Sequence, residues 1–336
     1  MTKRAKCLRA KSFYLNEDIC FDSLITIYYL PKLTFSFYIL AFSYLLDPRT
    51  AAIKIVDQAE VNNNEYCYSC VKIDNICYKH TYLFELPAPF GEQYPIIEKI
   101  GVVNFTNVIF FTFEPNPSDK EYSKVGYISL YHPEFSGVIS GSQSFNFRPF
   151  DIDQREKKVY LGGSDGIWVV DDINYSPTYF TVKANLITNV VVKDYVYFTA
   201  YNRKGIFKYV AGYYVVYLAD KMINNFVLDV EYNIVYLTVN GLFISFHNKM
   251  QNDVQLSTEP WMRGLTVDTK GTVYAWHING IYKVTVGKVP SESTLKRITR
   301  IAPDAMAFDE SNNIIYSIRK KLYKLTKVAT SKCFGR

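Results

Sequence analysis

Apolar and polar residues alternate in runs of five or six positions along most of this chain, and the runs are rich in Val, Ile, Tyr and Phe. That pattern predicts half-buried β-strands, and helical periodicity is nearly absent. The runs also recur in a fixed order. Asp151-Ile-Asp153, Val159-Tyr-Leu161 and Asp165-Gly-Ile-Trp168 are followed by Val190-Val-Val192, Val196-Tyr-Phe198 and Gly205-Ile-Phe207, and then by Phe226-Val-Leu-Asp229, Val235-Tyr-Leu237 and Asn240-Gly-Leu-Phe243. Two more copies run from Leu265 to Tyr282 and from Met306 to Tyr323. The tyrosines that mark the second strand, Tyr160, Tyr197, Tyr236, Tyr274 and Tyr316, are 37 to 42 residues apart. A β-rich period of about 40 residues predicts the blades of a propeller.

Between the second and third strands sit Asp165-Gly166, Asn240-Gly241 and Asn279-Gly280, pairs that tolerate the positive φ angles of a two-residue hairpin. A weaker unit, Asn104 to Tyr131, precedes them, with Val108-Ile-Phe-Phe111 as its second strand and Gly126 to Leu130 as its third. The expected fold is therefore an all-β, six-bladed β-propeller over residues 66–336. The last unit stops at Leu325, too near the C terminus to supply its own outer strand. The run Tyr78 to Leu86 is the expected donor, pairing with Leu322 to Leu325 and closing the ring, which removes exposed sheet edges. Asp153, Asp229, Asp268 and Asp309 fall where each first strand meets its turn, and short acids there accept from turn amides.

Cysteine usage bears on compartment. Cys67, Cys70, Cys77 and Cys333 cluster around the predicted ring closure, and four cysteines allow three pairings, one being Cys70 with Cys77 and Cys67 with Cys333. Disulfides persist outside the reducing cytosol, so secretion is the expected compartment. The rival reading of Cys67-x-x-Cys70, half a zinc site or a redox motif, lacks a second ligand pair and a βαβ context. The sequons Asn104-Phe-Thr106 and Asn174-Tyr-Ser176 are compatible with secretion. Residues 1–65 lie outside the repeat and hold an apolar run, Leu33 to Leu46, behind a basic start. Its length suits a signal-peptide core better than a membrane span of roughly 20 residues, although it begins late and no small-x-small cleavage site follows. A processed signal, a signal anchor and an extension without a role are the three readings, the first being the expectation.

Composition and charge change the picture little. The chain has 336 residues, 49% of them hydrophobic, enough to fill the cores of one propeller. Its net charge of +6 is spread along the sequence, too mild and scattered for nucleic-acid binding. Arg319-Lys320-Lys321 falls in the last hairpin turn and reads as a solvated turn.

Several segments carry a resemblance. Val159-Tyr-Leu-Gly-Gly-Ser-Asp-Gly-Ile167, the run from Asn279 to Val284, Arg263-Gly-Leu-Thr-Val-Asp268 and Asn312-Asn-Ile-Ile-Tyr316 resemble the ommochrome-binding proteins of lepidopteran haemolymph, over roughly Cys67 to Cys333. The resemblance implies a secreted, non-enzymatic carrier of ommochrome pigments, which are planar tryptophan-derived phenoxazinones bearing amino-acid carboxylates. No cofactor is implied. The long leader departs from the family's short signal.

In a propeller, the starts of the innermost strands converge on the central channel. Alignment on the strand aspartates places Arg148, Thr188, Asn224, Arg263 and Asp304 at equivalent hub positions, with Lys99 as the expected sixth. Phe145, Phe147, Trp261, Met222 and Met262 stand beside them. The expectation is that Arg148 and Arg263 anchor ligand carboxylates while Trp261 and Phe147 stack on its rings. The bland alternative has the arginines satisfying backbone carbonyls or an acid such as Asp304, and the aromatics filling core. Two other functions compete: a calcium-dependent lactonase or esterase, and a protein-interaction propeller with no small ligand. Calcium wants six to eight oxygens, several charged, and two hub arginines would repel it. His80, His132, His247 and His277 fall on different elements, so no Ser-His-Asp or Cys-His arrangement is apparent.

Overall fold

The computed structural model describes residues 70–328 apart from 75, 89–96, 116–117, 140–145, 172–174, 182–185 and 248–252. All belong to one compact unit, Glu65–Arg336. Six antiparallel sheets form it, and no α-helix occurs among the described residues. Each sheet is one predicted blade. The innermost strands are Ile97–Val103, Phe150–Asp153, Ile187–Lys193, Asn225–Leu228, Gly264–Val267 and Ala305–Phe308, for blades 1 to 6. Each packs beside the next, and the last packs beside the first, so the sheets make a closed ring.

Apolar burial between sheets holds the ring together. Six clusters lie one at each seam: Phe110 with Phe150 and Leu161 between blades 1 and 2, Tyr160 with Val190 and Phe198 between 2 and 3, Tyr197 with Phe226 and Tyr236 between 3 and 4. Leu237 with Leu265 and Ala275, Trp276 with Met306 and Tyr316, and Ile100 with Phe111 and Ala307 fill the remaining three. The marker tyrosines serve these seams. Tyr236 is 1% exposed and donates to Asp253 Oδ2 at 2.6 Å. Burial pushes Tyr197 up to about 12, so these phenols stay neutral, buried scaffold.

The ring closes as the last unit's missing strand requires. Ile76–Glu85 pairs with Lys321–Lys327, from Tyr78↔Lys327 to Glu85↔Lys321, and Leu86 N–H donates to Lys320 O at 2.7 Å. A short fifth strand, Val71–Ile73, adds outside it; three residues carry too little alternation to be read from sequence. Cys70 and Cys77 form a disulfide that clips this outer hairpin. Cys67, Cys333, Asn174, Phe145 and residues 1–65 lie outside the described residues.

The hairpin glycines differ from expectation. The two-residue turns are Val239-Asn240 and Ile278-Asn279, and each glycine follows its turn as the first residue of the next strand. Gly241 and Gly280 have φ +119° and +145°, and a Cβ on either would sit 2.0 or 2.1 Å from Ser257 O or Thr299 O of the adjoining outer strand. Glycine is needed there both for its backbone angle and for that approach. The turn aspartates behave as read: Asp229 Oδ1 accepts from Glu231 and Asn233 N–H at 2.9 Å each, and Asp268 and Asp309 accept from equivalent amides.

Candidate functional site

A β-bulge opens every inner strand at the same end of the ring. Asn224 N–H donates to Leu237 O although Asn225 is Leu237's partner, and Asp304 stands likewise against Ser317 and Arg263 against Trp276. Arg148 N–H donates to Gly162 O while Gly162 N–H donates to Pro149 O. In blades 1 and 3 the register slips between Ile97 and Lys99 and between Ile187 and Asn189, leaving Glu98 and Thr188 as the extra residues. A bulge sets two residues against one and re-aims a side chain. Glu98, Arg148, Thr188, Asn224, Arg263 and Asp304 thus form one ring of equivalent positions.

Lys99, the expected sixth member, is corrected to Glu98. The bulge shifts the pairing by one residue, and a one-residue slip turns a side chain to the other face. Lys99 instead approaches Asp151 at 4.0 Å, further along the inner strands, and Asp151 Oδ2 accepts from Val192 N–H of blade 3 at 2.7 Å. Burial pushes the Lys99 ammonium down and the Asp151 carboxyl up, each shift partly offset by the other's charge.

Around the ring, the order is Glu98, Arg148, Thr188, Asn224, Arg263, Asp304, for blades 1 to 6. Arg148 and Arg263 belong to blades 2 and 5, three apart and therefore across the hub from one another. Both are paired with an acid on an adjacent blade. Arg148 makes a two-pronged contact with Glu98, its Nε 2.5 Å from Oε2 and its Nη2 on Oε1. Burial works against the Arg148 charge, but Glu98 more than offsets it and holds the guanidinium above its usual range. Arg263 Nη1 donates to Asp304 Oδ1 at 2.9 Å, and Arg319 N–H donates to Asp304 Oδ2 at 2.5 Å. Thr188 Oγ1 and Thr199 Oγ1 share a hydrogen bond of 2.8 Å, and Asn224 is exposed.

The aromatic neighbours divide. Trp261 is 70% exposed, two residues before Arg263 on the loop that enters blade 5. Phe147 is 2% exposed, packs into the seam between blades 1 and 2 and meets Trp168 edge-on. Its expected stacking role is therefore corrected: its neighbour Arg148 takes the bulge position, and Phe147 turns into the core. Met222 is exposed and Met262 packs against the seam between blades 4 and 5. Sequence reasoning missed Glu98, the acid that Arg148 grips.

Among the described residues, no group of three or more His, Cys, Asp or Glu could hold a metal ion. The histidines stand apart: His80 stacks on Tyr316 and Tyr323, His132 sits beside Glu134, His247 beside Tyr232, and His277 Nδ1 bonds Asn279. No described helix is long and apolar enough to cross a membrane.

Known proteins share both the sequence pattern and the ring. The chain is similar to an ommochrome-binding protein. Over 233 residues it is 25% identical to that of Manduca sexta, covering 68% of this chain and 81% of the relative. No family model matches. Among solved structures, the gluconolactonase XC5397 of Xanthomonas campestris is similar with a TM-score of 0.55 at 9% identity, covering 81% of this chain and 99% of that one. Regucalcin of Agrobacterium tumefaciens follows with a TM-score of 0.52 at 12% identity, covering 76% of this chain and 95% of its own. Those likenesses confirm the propeller and speak to the fold alone.

Proposed function

We propose that the protein is a secreted carrier that binds an ommochrome-type pigment, a planar aromatic tryptophan metabolite with carboxylates, across the mouth of the ring. The observation that carries this reading is the similarity to the Manduca sexta ommochrome-binding protein. The bulge ring supports it chemically. Two guanidiniums belong to opposite blades of the hub, and their pairing with Glu98 and Asp304 uses only part of each five-donor fork. The remaining donors suit carboxylates at two ends of one ligand. Glu98 and Asp304, adjacent in the ring, suit an ammonium between them, and the exposed Trp261 offers a face for a flat ring system.

The Cys70–Cys77 disulfide fits an oxidising compartment. In this proposal residues 1–65 carry a processed signal, residues 66–336 are the carrier, Cys67 pairs with Cys333, and Asn104 and Asn174 accept glycans. The central test is gel filtration of the purified protein with xanthommatin, followed in the visible. Pigment travelling with the protein, with a shifted absorption band, is expected; pigment emerging entirely as free dye would reject carriage, and calcium-stimulated lactone hydrolysis would favour a hydrolase.

A further inference from the structure

Each blade ends in an outer strand, and one is unlike the rest. Val71–Ile73 and Thr294–Thr299 carry Lys72, Lys296 and Arg297; Ser136–Val138 is three residues long; Thr178–Thr181 and Val254–Ser257 are uncharged, but each is interrupted by a register slip against its neighbouring strand. Blade 3 ends in Tyr213–Tyr217, Tyr-Tyr-Val-Val-Tyr, with no charge and no proline. Its register against Ile206–Val210 runs unbroken from Val210↔Tyr213 to Ile206↔Tyr217. Tyr213 is 79% exposed, and Tyr214, Val215 and Val216 are 43 to 46% exposed. Exposed edges are ordinarily guarded by lysine, proline, bulges or shortness, and this one has none of these.

The backbone geometry says how it would pair. A two-residue turn, Ala211-Gly212, with φ +46° and +93°, joins it to the preceding strand. The residues flanking such a turn form a hydrogen-bonded pair, and bonded and non-bonded pairs then alternate. Tyr213, Val215 and Tyr217 bond inward, and Tyr214 and Val216 turn their N–H and C=O groups outward.

We propose that this edge joins a second copy of the chain, antiparallel, about a two-fold axis through Val215. In that register Tyr214 faces Val216 of the second copy and Val216 faces its Tyr214, so every outward donor meets an acceptor. Val215 meets its own counterpart and Tyr213 meets Tyr217 of the second copy, side-chain pairs that stabilise sheets. Such a contact is self-complementary, as two-fold interfaces are. The apolar surface continues beyond the strand. Phe180 of blade 2 lies 5.5 Å from Tyr209, which lies 5.8 Å from Tyr214, and Tyr179, next to Phe180, is 46% exposed. With aromatic side chains of about 150–250 Å² each, the exposed parts of these residues come to at most roughly 600 Å² per copy, so a dimer that covers them all approaches the roughly 1,200 Å² lower bound of specific interfaces.

Sedimentation velocity of the full-length protein over a range of concentrations tests this, with four variants. The parent should sediment as a dimer. Val215→Cys should cross-link to itself on mild oxidation, whereas Gln255→Cys on blade 4's edge should not. Val216→Pro, which removes an outward N–H and leaves the inward ladder intact, and Val215→Lys, which sets like charges at the axis, should each give a monomer with an unaltered circular dichroism spectrum. A monomeric parent at every concentration, or a dimer that folded Val215→Lys leaves intact, would overturn the proposal.

Discussion

The two ends of the inner strands obey different rules. At the turn end, four blades place the same residue type in the same role, since Asp153, Asp229, Asp268 and Asp309 each accept turn amides. At the mouth end, equivalent bulge positions hold Glu98, Arg148, Thr188, Asn224, Arg263 and Asp304. Local hydrogen bonding is alike from blade to blade, so a repeated residue solves it repeatedly. The mouth is where all blades meet in one place, and a single asymmetric molecule there would require different groups from each. Repetition marks scaffold, and its failure at equivalent positions marks where to look for a ligand.

Removing the charged groups of the mouth should have the largest effect. Arg148→Ala with Arg263→Ala should weaken pigment binding by roughly 3–6 kcal/mol, taking about 1.5–3 kcal/mol for each hydrogen-bonded charge, as read by absorbance titration. The Arg263–Asp304 pair is about one-third exposed, so Arg263→Ala alone should cost at most about 1 kcal/mol of stability. Unchanged pigment affinity in the double variant would remove both arginines from the site.

Phe147→Ala and Trp261→Ala sharpen the division between core and mouth. The first should lose about 3–5 kcal/mol of stability in urea denaturation. The second should leave stability within about 0.5 kcal/mol and weaken pigment binding by about 0.5–1.5 kcal/mol beyond lost contact area. The reverse result would return Phe147 to the site.

At the turn end, Asp229→Ala strands the amides of Glu231 and Asn233 and should cost about 1–3 kcal/mol in denaturation, with pigment affinity preserved. The smallest effect is a pH dependence. Burial works against the Asp309 carboxylate, but Lys324 and Asn313 outweigh it and hold its pKa below the ordinary 3.8. A lowered folded pKa contributes stability that is present above 3.8 and lost as pH falls through the lowered value. Asp309→Asn should therefore flatten the stability curve in that acid window, and an unchanged slope would show that Asp309 carries none of it.

Much of the fold was legible from periodicity. Alternating strands, the tyrosine spacing and the missing outer strand were enough for six blades and for closure by Tyr78 to Leu86, because each rests on a local pattern or on counting. The mouth was legible only as a set of equivalent positions. Glu98 was missed because a bulge moves the register by one residue, and neither Glu98 nor Lys99 reveals a bulge by its type. The Glu98–Arg148 contact joins residues 50 apart, a distance no local rule spans. Phe147 was misplaced because alternation, which assigns faces within a strand, fails at the bulge beside it.

A crystal structure of the protein grown with xanthommatin is the most direct measurement. The account predicts pigment density at the mouth, bounded by Arg148 and Arg263 with carboxylates on their guanidiniums and rings against Trp261. Density elsewhere on the propeller, or an unliganded mouth in crystals that retain bound pigment, would contradict it.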